Sequence, residues 1–266
     1  MDFEQLAKIE NESERVNRTY DIFNEDTRLS HSKAARVEFL TNVHYIEKYL
    51  KKGDRILDIG AGAGEYSLYF ARKGYEVSAL ELADANIAAF KKKLIPEDKM
   101  DLVQGNALDL SRYEDRSFDI VLLFGPLYHL ENDGDKQKCI MEAKRVCKDG
   151  GKIFFAFISN DFVFLTEFEY DVNYFSNGEY DKETFRLNNF PFVFHTVGAA
   201  RKLLADGGVN VLHEVASDGA SELLAAGINE MSEEDYAQYL RYHFYICEKP
   251  ELLGMTNHLL FVGEKK

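Results

Sequence analysis

The chain has 266 residues, 45% of them hydrophobic and 29% charged, a balance that excludes a disordered or fibrous protein and suffices for one sizeable core with an accessory cover. A net charge of −14 argues against a surface built to neutralise phosphates, so nucleic acid is not expected as a partner. No apolar run approaches the roughly 18 residues of a membrane span, and the N-terminal stretch has no signal-peptide core; the expectation is a cytoplasmic protein with no membrane partner.

Residues 1–50 read as an N-terminal helical segment. Helical spacing over 3–22, and over 32–50 through Ala34, Val37, Phe39, Leu40, Val43, Ile46 and Leu50, predicts two helices. Between them, Tyr20 to Arg28 mixes an aromatic, acids and an arginine.

From about residue 54 apolar runs alternate with helical stretches: RILDI, EYSLYFARKG, YEVSALEL, DANIAAFKKKL, MDLVQ, FDIVLLF, QKCIMEAKRVCKDG and GKIFFAFIS. Such alternation predicts a doubly wound α/β core over residues 51–160, its parallel sheet covered on both faces. Lys91 to Lys93 read as the solvated end of a helix. Residues 160–195 interrupt the alternation with aromatics and acids. An insertion there lies at the carboxyl end of the sheet, where ligands bind in open α/β folds, and it is expected to form a lid. Residues 196–266 then supply a helix, the strand VNVLHEVA, a helical stretch over 220–247 and a last strand NHLLFVGEKK. The whole is expected to be a single domain.

The chemistry concentrates at the first strand's end. RILDIGAGAGEYSLYFARKG puts Asp58, Gly60, Gly62 and Gly64 at the turn into the following helix, where glycines let a backbone approach a ligand and the helix start offers free N–H groups. A dinucleotide fingerprint would also follow a first strand. Its sixth position calls for Gly or Ala, however, and here that position is Glu65, which disfavours NAD on charge and shape.

Asp58-Ile59-Gly60-Ala61-Gly62-Ala63-Gly64 resembles the D-x-G-x-G-x-G signature of class I S-adenosylmethionine-dependent methyltransferases, and the likeness spans roughly residues 50–160. It implies a mostly parallel seven-stranded sheet with an antiparallel last strand, and S-adenosylmethionine as cofactor. By the same resemblance Glu81, 17 residues beyond Gly64 at the end of the second strand, accepts hydrogen bonds from the ribose hydroxyls, and Leu82 lies near adenine. Asn106, beside Ala107, stands where many members carry an Asp next to the adenine amine; its carbonyl can still accept. Phe124-Gly125-Pro126-Leu127-Tyr128-His129 follows the fourth strand, where the family faces the transferred methyl, and it resembles the small-molecule branch rather than the base-methylating one. Tyr128 and His129 are the candidate catalytic groups there. Ala61, Phe124 and Gly125 join the cofactor set, as do Tyr20, to cover the site, and Arg28, for the methionyl carboxylate.

The implied reaction is direct displacement at the sulfonium methyl by a small-molecule acceptor. A protein- or rRNA-methylating enzyme and a non-catalytic S-adenosylmethionine-binding module are the alternatives. His31, His44, His195, His213, His243 and His258 show no HExxH or paired spacing, and Cys139, Cys147 and Cys247 no CxxC, so no metal is expected.

Overall fold

The computed structural model describes residues 2–266. The chain runs α1 (Phe3–Ala7), α2 (Glu12–Thr19), α3 (Lys33–Glu47), β1 (Arg55–Ile59), α4 (Glu65–Arg72), β2 (Glu76–Glu81), α5 (Asp84–Lys93), β3 (Met100–Gln104) and β4 (Phe118–Leu123). A 3-10 turn (Pro126–Tyr128) leads to α6 (Asp133–Val146), β5 (Cys147–Ser159), α7 (Asn160–Tyr170), α8 (Tyr174–Asn177), β6 (Phe194–His195), α9 (Val197–Asp206), β7 (Val209–Ala216), α10 (Ala225–Glu230), α11 (Glu233–Ile246) and β8 (His258–Lys265).

The strands are apolar on both faces because helices cover both. Leu57, Ile59, Val121, Leu123, Phe155 and Phe261 face one side with Ile140 and Ala143 of α6 and Leu204 of α9. Their neighbours Ile56, Ile120, Leu122, Phe154 and Leu260 face the other, against Phe39, Val43 and Ile46 of α3 and Phe70 of α4. Each fully buried Phe in these layers contributes roughly 1.5–3 kcal/mol.

Strand order is β3-β2-β1-β4-β5-β8-β7, with the two-residue β6 pairing β5 off this path. β1 to β5 pair in parallel, and β8 runs antiparallel to both β5 and β7. The expected α/β sheet with an antiparallel last strand is what forms. Chain order reverses between β1 and β4, so the crevice outside their carboxyl ends is the topological switch point, where ligands bind in such sheets.

Three local expectations need correction. The helix read over 3–22 is two, because the Asn11 side chain accepts from the Glu14 N–H and starts α2 afresh. The stretch 220–247 likewise breaks, Ser232 capping α11. The insertion 160–195 builds a small core of its own around Phe164, Tyr180 and Leu187, and none of its residues lines the cleft described below.

Candidate active site

At the end of β1 the backbone turns sharply under β2: Gly60 and Ala61 both donate to the Leu80 carbonyl, at 2.8 and 3.1 Å. Gly62 has φ +55°, and a Cβ there would meet nothing within 4 Å, so its bare side opens on the cleft it lines. Gly64 behaves differently. At φ +87°, its missing Cβ would sit 2.4 Å from the Phe90 ring, and it does not line the cleft. Its bareness lets α4 start against α5.

That cleft, about 1100 Å³ of space including its open mouth, lies at the switch point. Asp58 lines it and is 1% exposed; Oδ2 accepts from Ser67 Oγ at 2.6 Å, while Oδ1 is buried without a partner. Burial pushes this carboxyl up to about 7 despite the Ser67 bond.

Glu81 ends β2 beside it. Oε2 accepts from the Gly62 N–H at 2.8 Å, and Oε1 from the Ala83 N–H at 2.8 Å and Asn86 Nδ2 at 3.3 Å. Burial raises its pKa, and these bonds oppose the shift. A carboxylate offers about four lone-pair sites, so acceptor capacity remains toward the cleft.

Leu82, Asn106 and Ala107 complete this half of the wall. The Asn106 carbonyl accepts from the Leu108 N–H at 2.9 Å and its amide donates to Ser13 Oγ at 3.0 Å. Ser13 belongs to α2, which crosses the cleft: Asn17 of the same helix bonds Asp84, and Arg15 pairs with Glu131 at 2.7 Å. Glu12, Ser13 and Val16 line the cleft, so α2 supplies the cover that had been expected from residues 160–195.

On the other half, β4 delivers Phe124, Gly125, Tyr128 and His129 to the cleft. His129 Nε2 is 2.7 Å from the Tyr20 hydroxyl, its Nδ1 is buried and unpartnered, and burial pushes its pKa down to about 4. Phe192 of the insertion packs on Tyr128, His129 and Phe23 from outside. Arg28 lines the cleft but is engaged, Nε with Glu25 at 2.9 Å and Nη1 with Glu38 at 2.7 Å. Glu65 lines it too, paired with Lys93 at 2.7 Å.

Sequence reasoning passed over His258 as one lone histidine among several. It lines the same cleft, with Nδ1 2.8 Å from Asp218 and 3.4 Å from Glu38. The available signal was positional: a residue opening an antiparallel last strand lies at the edge where the parallel strands end. Ligating atoms of Glu38, Asp218 and His258 fall within 4.8 Å of one another. Arg28 and the His258 ring already supply the cations there, making the group an ion-pair network.

Residues 57–155 match the family described as a methyltransferase domain. A demethylmenaquinone methyltransferase of Clavibacter sepedonicus is 34% identical over 121 residues, covering 45% of this chain and 47% of that protein. A Methanocaldococcus jannaschii protein named as a large-subunit ribosomal RNA methyltransferase is 36% identical over 102 residues, 35% of this chain and 26% of its own length. The chain thus spans about half or less of these curated relatives. Among solved structures, the [4+2]-cyclase SpnF superposes with a TM-score of 0.61 at 17% identity, over 95% of this chain and 96% of that one, a likeness of fold. No helix among the described residues is long and apolar enough to cross a membrane.

Proposed function

We propose that this chain, which carries a class I S-adenosylmethionine-dependent methyltransferase domain, binds S-adenosylmethionine along the carboxyl ends of β1 to β3 and transfers its methyl group to a small-molecule acceptor held beyond β4. The observation that carries the reading is Asp58 Oδ1, a buried carboxylate oxygen with no donor at the turn after β1. Such an atom calls for a partner, and the cofactor's ammonium is a cationic one of the right kind.

The other residues fit the same ligand. Glu81 has acceptor capacity left for a ribose hydroxyl, the Asn106 carbonyl has a second lone pair for the adenine amine, and Leu82 and Ala107 offer apolar contact to the ring. Gly60, Ala61 and Gly62 let the backbone approach, and Phe124 and Gly125 flank the methyl end. Arg28 has five N–H donors, three of them engaged by Glu25 and Glu38, leaving two for the methionyl carboxylate. Tyr20, tied to His129, covers the cofactor beside α2.

Bound here, the cofactor supplies a methyl already activated on a sulfonium, so the chain's work is to align the acceptor and exclude water. Tyr128 and His129 stand where the acceptor would approach. A small molecule is favoured by the quinone-modifying activity named for one relative and by the net charge of −14, which opposes phosphate-rich RNA. The rRNA-methylating name of another relative keeps that acceptor as the second reading. Labelled methyl transfer into fractionated metabolite, RNA and protein extracts tests this. Label in the low-mass fraction is expected. Label in RNA or protein alone would overturn the acceptor, and binding without any transfer would leave a cofactor-binding module.

A further inference from the structure

His258 is the first residue of β8, paired with Ile158 near the end of β5, and so stands at the carboxyl edge on the far side of the switch point from Glu81. Asp218, two residues past β7, grips it twice: Oδ1 accepts the His258 backbone N–H at 3.1 Å and Oδ2 faces the ring Nδ1 at 2.8 Å. Thr256 donates to Asp218 in turn, and Asp218 is buried. With Nδ1–H fixed on a carboxylate, Nε2 is the free atom. It forms no hydrogen bond among the described residues and is not sealed from solvent, and the ring lines the cleft.

The surroundings define what could meet Nε2. Leu29, Tyr66, Phe124, Tyr128 and Ala156 make the neighbouring wall aromatic and apolar. Glu25 and Glu38 line it as well, each held by Arg28, and they repel a ready-made anion. A nucleophile therefore enters neutral and ionises in place. His129 is the poorer group for that proton: no carboxylate supports its ring, Tyr20 occupies Nε2, and its Nδ1 is buried.

We propose that His258, oriented by Asp218, takes the proton from the acceptor, and that the acceptor is a phenol. This rests on the methyltransferase reading above. The phenol O–H proton moves to Nε2 while the phenol oxygen bonds to the methyl carbon. The carbon–sulfur bond breaks with its electron pair going to sulfur, which becomes a neutral thioether, and His258 then returns the proton to solvent. The charged groups facing the ring are Asp218 after β7, Glu38 from α3 and Arg28 from the N-terminal segment; burial alone would lower its pKa, but the two carboxylates outweigh burial and Arg28 and push it up to about 9. Below pH 9 the ring is mostly the imidazolium of the ion-pair network, and the neutral form that takes the proton grows about tenfold per pH unit toward 9; a base of that strength is matched to a phenol, whose O–H ionises near about 10.

The test uses the full chain with S-adenosylhomocysteine and 2-naphthol, whose hydroxyl ionises in the ordinary phenol range near about 10 and whose naphtholate absorbs distinctly from the neutral form. The wild type is expected to bind the probe with growth of the naphtholate band, and methyl transfer to it from S-adenosylmethionine should rise about tenfold per pH unit toward 9. His258→Gln should bind the probe at least about 10-fold more weakly, without the band, and lose about 100- to 10,000-fold in transfer, while its affinity for S-adenosylhomocysteine stays within about twofold. Asp218→Asn should lower the pH at which the band appears. An unchanged band and rate in His258→Gln would overturn the proposal, as would binding of an aniline or thiophenol in place of the phenol. Failure of S-adenosylhomocysteine to bind the wild type is a separate result and would remove the methyltransferase reading and this one together.

Discussion

The Tyr20 hydroxyl and His129 Nε2 lie 2.7 Å apart, joining the N-terminal segment to the turn after β4 across the mouth of the cleft. His129 is buried and Tyr20 half-buried, so the bond satisfies a ring nitrogen that would otherwise be orphaned. Tyr20→Phe leaves Nε2 with no donor or acceptor and should destabilise the fold by about 1–3 kcal/mol in urea unfolding. The same burial keeps the imidazole neutral above about pH 4. His129→Gln should therefore leave the shape of any pH–rate profile between 6 and 9 as it is; loss of a limb in that window would make His129 the base.

Asp58 couples cofactor binding to pH. Its carboxyl, raised to about 7 by burial, is about half protonated at neutral pH, and an ammonium beside Oδ1 favours the ionised form. Binding of S-adenosylhomocysteine should therefore release close to half a proton at pH 7, and affinity should fall about tenfold per unit as pH drops below the transition. Calorimetry at pH 7 in buffers of different ionisation heat measures the release. Asp58→Asn should abolish it, and proton release persisting in that variant would detach Asp58 from the ammonium.

His258 gives the fold its own pH signature. Its folded pKa of about 9 lies above the unfolded 6.5, so its contribution is fully present below about 6.5 and is lost as pH rises through 9. The difference amounts to about 3 kcal/mol. Urea unfolding of the wild type and His258→Gln at pH 6 and 9.5 should show the gap between them shrinking by that order; a constant gap would mean that His258 is not charged in the folded chain.

What the sequence made legible was local. Asp58, the glycines and Glu81 fall at fixed distances along one β-α-β unit, and the apolar runs mark β1, β2 and β4 within a residue or two, whereas β5 starts at Cys147, ahead of its run, and the two-residue β6 has no run to mark it. What it hid depends on distant pairing. The Arg28–Glu38 pair and the approach of Glu38 to His258 join residues separated by 10 and 220 positions, respectively, and no periodicity announces them. Gly64 fits the motif by spacing, yet only the packing of Phe90 reveals what its bareness serves. The aromatics of 160–195 looked like a lid because composition cannot distinguish a cover from a small core such as that around Phe164.

Isothermal titration with S-adenosylhomocysteine and with NAD, on the wild type and Glu81→Ala, tests the central claim most directly. Glu81 stands beside Gly62 with acceptor capacity for a ribose, and hydrogen bonds to a charged group contribute about 1.5–3 kcal/mol. The account predicts one-to-one binding of S-adenosylhomocysteine, a loss of about 10- to 100-fold in Glu81→Ala with the fold intact, and no heat from NAD. Binding of NAD together with no response to S-adenosylhomocysteine at millimolar concentration would contradict it.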